Sequence, residues 1–71
     1  MTFVLNITSQ QDVQKLRALA LSVPESVVVR SMGGEIALNA KSPMGIYAMD
    51  FSQPVQVISD SQALMEALRN W

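Results

Sequence analysis

The spacing of hydrophobic positions divides the first third of the chain into a strand and a helix. Large apolar side chains stand at every second position of residues 3–7, which predicts a half-buried strand. Apolar residues then recur at the helical period, so a helix is expected over about residues 9–22. The stripes expected to be buried are Phe3, Leu5 and Ile7 of the strand and Val13, Leu16, Leu19, Ala20 and Val23 of the helix.

A β-hairpin is predicted in the middle of the chain. A β-branched run at residues 26–30 and an alternating run at residues 35–39 flank two consecutive glycines, which permit a tight reversal. Ile36 and Leu38 are expected to face inward. Arg30 and Glu35 are placed to pair across the hairpin, a surface contact of about 0–1 kcal/mol.

The last third of the chain predicts a short helix, a fourth strand and a final helix. The short helix is expected from Ser42 to about Asp50 and the strand over residues 55–58. The inward side chains are expected to be Val55 and Val57 of the strand and Leu64, Ala67, Leu68 and Trp71 of the final helix.

Capping side chains precede the first and last predicted helices. Either Thr8 with Gln11 or Ser9 with Asp12 has the spacing of a capping box. Residues 59–62 supply similar chemistry before the last helix.

The element order β-α-β-β-α-β-α indicates the α+β class. Four alternating strands, with helices apolar on one side only, favour an open-faced β-sandwich: a four-stranded antiparallel sheet with three helices on one face. At 71 residues the chain is expected to form a single domain, residues 1–71.

Composition and charge exclude several classes of function. The chain has no Cys and no His, so thiolate chemistry and the commonest general base are absent. Its net charge is −1 and its charged residues are scattered singly, so there is no basic patch that would bind nucleic acid or a membrane. The carboxylates are spread along the sequence without close pairing, so no metal, no cofactor and no enzymatic activity are predicted. With no basic or long apolar leader, a cytoplasmic protein is expected.

The most distinctive stretch is residues 39–46, Asn-Ala-Lys-Ser-Pro-Met-Gly-Ile. Ser42 can cap the short helix through its hydroxyl, and Pro43 suits the first helical position. Met44, Ile46, Tyr47 and Met49 offer more apolar surface than one face of so short a helix can bury. Part of this surface is therefore expected to face outward.

This octapeptide resembles the HPr family, the small phosphocarrier proteins of the bacterial sugar phosphotransferase system. Gram-positive members carry a nearly identical segment in which the serine is the target of a regulatory kinase, and Ser42 matches that serine. The expected element order also resembles that of the family. Pro43 departs from the isoleucine or leucine usual there, which stiffens the turn and trims an apolar docking contact.

The family's phosphocarrier histidine is missing from this chain. The family signature Gly-Leu-His-Ala-Arg-Pro at the start of the first helix is replaced by Ser-Gln-Gln-Asp-Val-Gln-Lys at residues 9–15. Amides are poor nucleophiles and a serine phosphoester is too inert for fast transfer, so no carrier activity is expected. The chain is similar in this respect to Crh, a relative that has glutamine instead of the histidine; Gln10 or Gln11 lies near the lost site.

The resemblance implies a regulatory protein-binding module switched by phosphorylation of Ser42. Its contact residues would be Lys41, Pro43, Met44 and Tyr47, and its partners a serine kinase, a transcriptional regulator or a phosphotransferase-system component. The chain itself is expected to be a monomer or a weak homodimer. Alternatively, Ser42 is only a helix cap, Met44 packs in the core, and the protein is an unphosphorylated structural or assembly module.

Overall fold

The structure, a computed structural model, describes residues 1–42 and 45–71. Within these ranges the elements are β1 Thr2–Leu5, α1 Gln10–Leu21, β2 Val27–Ser31, β3 Ala37–Asn39, a 3₁₀ helix Gly45–Ala48, β4 Val55–Ser59 and α2 Gln62–Arg69. The predicted α+β class and its strands are confirmed, with element ends shifted by one or two residues.

The strands form one antiparallel sheet in the order β1-β4-β2-β3. The last strand, β4, therefore lies in the interior of the sheet between β1 and β2. Because β1 and β2 both run antiparallel to β4, they are parallel to each other, and α1 connects them. β3 and β1 are the edge strands.

The helices cover one face of the sheet and leave the other open. On the covered face, a row of paired residues crosses all four strands, namely Phe3, Val57, Val29 and Leu38. The fully buried centre of the core comprises Leu16, Ala20, Val27, Val29, Ala40, Ile46, Val55, Val57, Leu64 and Leu68. The open face shows the opposite set, including exposed Val4 and half-buried Val28 and Ile58. This alternation is what the period of two predicted.

Three helices were expected, and in the described part of the chain only two are α-helices. The middle one is a 3₁₀ helix of four residues. Ile46 in this helix and Met49 directly after it are buried and lie three positions apart, a spacing that matches the three-residue turn of a 3₁₀ helix. The prediction of three α-helices was therefore wrong in the type and length of the middle element.

The predictions for the hairpin were partly wrong. Ile36 was expected to be buried, but 43% of it is exposed. The reversal extends further than predicted: Ser31 binds both main-chain groups of Ile36, and β3 begins only at Ala37. Arg30 does not pair with Glu35; its Nε donates instead to Gln56 Oε1, at 2.8 Å on the open face.

The choice between the two capping arrangements of α1 falls on Ser9. Its Oγ accepts a hydrogen bond from Asp12 N at 3.2 Å. The Asp12 carboxylate in turn accepts hydrogen bonds from the backbone N–H and the hydroxyl of Thr8. These contacts satisfy donors that a helix start leaves free.

Candidate functional site

The segment that carries the resemblance is built from two consecutive side-chain-to-backbone turns. Asn39 Oδ1 accepts a hydrogen bond from Lys41 N at 2.9 Å, and Ser42 Oγ accepts one from Gly45 N at 3.2 Å. Ser42 N also donates to Asn39 O at 3.1 Å. Ser42 therefore caps the 3₁₀ helix through its hydroxyl, as predicted.

Gly45 is suited to its position by its lack of a side chain. A Cβ added there would lie 3.1 Å from Ser42 Cβ and 3.2 Å from Ser42 Oγ, closer than most real Cβ contacts. A larger residue would therefore press on the Ser42 side chain. The glycine keeps the hydroxyl and the Gly45 amide in hydrogen-bonding contact.

The segment is fixed to the body of the protein on both sides of Ser42. Ala40 and Ile46 are fully buried, and Lys41 Nζ donates to Val23 O, the carbonyl just after α1, at 2.6 Å. The half-buried Lys41 side chain is thus occupied in an internal contact. This placement does not favour the role of contact residue expected for it.

Of the two expected contact residues that the structure describes, Lys41 and Tyr47, it places Tyr47 at the surface, with 47% of it exposed. Ser42 itself is half-buried. Pro43 and Met44 lie outside the described residues. The exposed aromatic ring and the serine hydroxyl stand at opposite ends of one short element, Tyr47 in the 3₁₀ helix and Ser42 at its cap.

The start of α1, where the family resemblance places the carrier histidine, borders a shallow cavity with mixed polar and apolar walls. It has a volume of about 310 Å³ and is lined by Ile7, Thr8, Ser9, Gln10, Val13 and Phe51. The Thr8 hydroxyl and Ser9 Oγ are engaged in the capping contacts with Asp12. The cavity is thus lined by capping groups, an amide and three apolar side chains, none of which has the nucleophilicity of an imidazole.

A second cavity was not predicted from the sequence. It has a volume of about 340 Å³ and lies between the β2–β3 turn and the loop that leads into β4. We call it the hairpin cavity; its principal lining residues are Met32, Glu35, Ile36, Met49, Asp50 and Pro54. The signal that could have indicated this cavity is the pair of apolar residues on either side of the glycine turn, Met32 and Ile36. The alternating pattern had instead assigned Ile36 to the core.

One carboxyl in the hairpin cavity has a perturbed pKa. The pKa of Asp50 lies below its ordinary value of 3.8, because the Ser52 hydroxyl and then the Ser52 backbone N–H hydrogen-bond to it. The backbone contact, from Ser52 N to Asp50 Oδ1, measures 2.9 Å. Asp50 therefore carries its negative charge at neutral pH.

Neither a metal cluster nor a membrane span is found in the described ranges. Over residues 1–42 and 45–71, no three Asp or Glu side chains converge as metal ligands would. No helix there combines the length and apolar character needed to cross a bilayer.

Comparison with family models, with curated proteins and with solved structures finds no match to this chain. The resemblance to the HPr family therefore remains a prediction.

Proposed function

We propose that this protein is an HPr-like regulatory module that binds other proteins and has no carrier or enzymatic activity. Its switch is Ser42, and its contact surface includes Tyr47. The observation that supports this most directly is that Ser42 Oγ holds the Gly45 amide at the start of the same 3₁₀ helix that exposes Tyr47. A modification of this hydroxyl would act directly on the element that displays the aromatic ring.

Phosphorylation of Ser42 would change the charge of this surface without removing its cap. A phosphoserine adds about −1.5 to −2 charge at neutral pH and several strong acceptor oxygens. An acceptor oxygen would therefore stay on the side chain that now receives the Gly45 N–H. The charge would be added at the cap of the helix that carries Tyr47, so a partner that contacts this helix could distinguish the two forms by electrostatics.

Phosphate carriage on histidine is not part of the proposal. The chain contains no histidine, and the start of α1 is occupied by the capping contacts of Ser9 and Asp12. The proposed protein would therefore receive phosphate as a signal and not pass it on.

The test is intact-mass spectrometry after incubation with an HPr serine kinase and ATP. We expect a gain of one phosphate in the unmodified protein and none in Ser42→Ala. Ser52→Ala is the matched control, because Ser52 is an exposed serine in the next loop and its loss should leave the gain unchanged. No gain in a protein that is folded by circular dichroism, or a gain that survives Ser42→Ala, would refute the proposed switch.

A second candidate function, an unphosphorylated assembly module, is favoured by the open face of the sheet. Val4 on this face is 52% exposed, beside half-buried Val28 and Ile58. Two such faces packed together would bury these apolar side chains. Sedimentation velocity would show a concentration-dependent dimer, weakened by Val4→Lys, if this function is correct, and a monomer at all concentrations if it is not.

A further inference from the structure

The hairpin cavity is framed by two segments that are far apart in sequence. Met32, Glu35 and Ile36 come from the β2–β3 turn, while Met49 and Asp50 follow the 3₁₀ helix. The turn side is exposed, since 48% of Met32 and 43% of Ile36 is open to solvent. Exposed apolar side chains around a concave surface are characteristic of interaction sites.

Negative charge is present on both walls of the cavity. Glu35 lies on the turn side and Asp50 on the loop side. Within residues 1–42 and 45–71, the Glu35 carboxylate makes no ion pair, since the one ion pair found there joins Arg69 to Glu66. Asp50 accepts hydrogen bonds from Ser52 but has no basic neighbour among the cavity residues.

Four of the five basic side chains, all in the described part of the chain, make internal contacts, and Arg17 is the exception. Arg30 binds Gln56, Lys41 binds Val23 O, and Arg69 binds Glu66. The Lys15 ammonium lies over the ring of Trp71 and donates to the main-chain oxygen of the same residue. The Nε of Arg17 is buried. A second copy of this chain would have to break an internal contact to supply any of the other four side chains to the cavity, and Arg17 has part of its guanidinium buried.

We propose that the hairpin cavity binds a segment of a partner protein in which a lysine or arginine stands next to an apolar side chain. The two carboxylates complement the cationic head, and the methionine and isoleucine walls receive the aliphatic stem and the apolar neighbour. Methionine side chains adapt to such contacts because they are unbranched and polarizable. A volume of about 340 Å³ lies at the small end of binding sites, which suits one or two side chains and not a large ligand.

This site is distinct from the proposed Ser42 switch and does not depend on it. Ser42 and Tyr47 are not among the residues that line the hairpin cavity. The site gives the protein a surface that selects partners by positive charge, whatever the state of the serine.

The test uses the acetylated, amidated pentapeptide Gly-Leu-Arg-Leu-Gly, titrated into the ¹⁵N-labelled protein. We expect saturable amide shifts concentrated at residues 32–36 and 49–53. Replacing the peptide arginine by norleucine should weaken binding, and so should Glu35→Gln or Asp50→Asn, each by about fivefold, the upper range for one exposed ion pair. Asp50→Asn retains an Oδ1 acceptor for Ser52 N, so the loop should keep its shape.

The matched control is Glu25→Gln, which removes an exposed carboxylate from the loop before β2, away from the cavity. This variant and Ser42→Ala should bind the peptide as tightly as the unmodified protein. The proposal is overturned if no saturable shifts occur up to about 1 mM peptide, the weak end of measurable affinity. It is also overturned if the norleucine peptide binds equally well, or if the same shifts appear on raising protein concentration alone, which would identify a second copy as the occupant. Failure here would leave the mass-spectrometric result on Ser42 unaffected.

Discussion

Two serines cap the two α-helices with nearly the same geometry but at different burial, and this pair allows a quantitative test. Ser61 Oγ accepts from Leu64 N at 3.1 Å, and Ser9 Oγ accepts from Asp12 N at 3.2 Å. Ser61 is only 2% exposed, whereas Ser9 is exposed. Substitution by alanine removes the same hydrogen bond in both cases, but only at Ser9 can water replace it.

The expected cost of Ser61→Ala follows from adding two terms. Loss of an N-cap costs about 1 kcal/mol. A buried backbone N–H left without a hydrogen-bond partner, here that of Leu64, costs about 1–3 kcal/mol. The two costs overlap, because the value for losing an N-cap already includes part of the cost of the unpaired N–H. We expect a total loss of about 2 kcal/mol for Ser61→Ala and about 0.5–1 kcal/mol for Ser9→Ala. A chain of 71 residues has a total stability of about 4–10 kcal/mol, so Ser61→Ala removes a large share of it.

The assay is urea denaturation followed by circular dichroism, with thermal unfolding as a second measure. Ser61→Ala should lower the melting temperature by about 8–16 °C and Ser9→Ala by less than about 8 °C. Both variants should unfold in one cooperative transition with an unchanged m-value. Equal losses for the two variants, or a larger loss for Ser9→Ala, would refute the assignment of the difference to burial.

Two further predictions concern the turns that frame the hairpin cavity. Gly34→Ala should lower stability by about 1–2 kcal/mol because Gly34 has a φ of 77° and nothing within 4 Å of an added Cβ, so the whole cost is conformational. Gly33→Ala, where the new Cβ would meet Glu35 at an ordinary 3.5 Å, should be neutral or slightly stabilising, and equal urea midpoints for the two variants would contradict this account. Ser52→Ala should raise the pKa of Asp50 toward its ordinary value of 3.8 because it removes the hydroxyl donor, while the remaining backbone N–H keeps the shift incomplete. The depressed pKa of Asp50 stabilises the folded state at pH values above the unfolded-state pKa, and this stabilisation is lost as the pH falls through the folded-state pKa. If the titration midpoint of the Asp50 carboxyl, measured by NMR, is unchanged in Ser52→Ala, then the hydroxyl does not lower this pKa.

Periodic elements were the part of the fold that the sequence revealed best. The α1 stripe of Val13, Leu16 and Ala20 and the β4 pair Val55 and Val57 are buried as predicted, because their spacing leaves one face to cover. Met65 was not among the residues predicted to be buried, but α2 buries it beside Leu64. The buried face of α2 is therefore wider than the single stripe that the sequence predicted.

The candidate sites show where sequence reasoning stops. The Ser42 cap could be predicted because the hydroxyl and the amide that it binds, that of Gly45, lie only three positions apart in the sequence. The hairpin cavity could not, because its two walls are about fifteen residues apart in sequence and are brought together by tertiary contacts, among them the pairing of β2 with β4. The order of strands was likewise inaccessible, since residue spacing fixes which face a strand buries but not which strand lies beside it.

The interior position of β4 has a consequence for the order of events during synthesis. β1 pairs only with β4, and β4 begins at Val55, so the N-terminal strand has no sheet neighbour until most of the chain has left the ribosome. Until then the elements that can form by local contacts are α1, the β2–β3 hairpin and the 3₁₀ helix. The nascent chain would expose the uncharged strand Thr2–Leu5 throughout this interval, a state open to mispairing or to chaperone capture. Closure of the sheet is thus a late, long-range event that folding cannot complete by growing outward from the N-terminus.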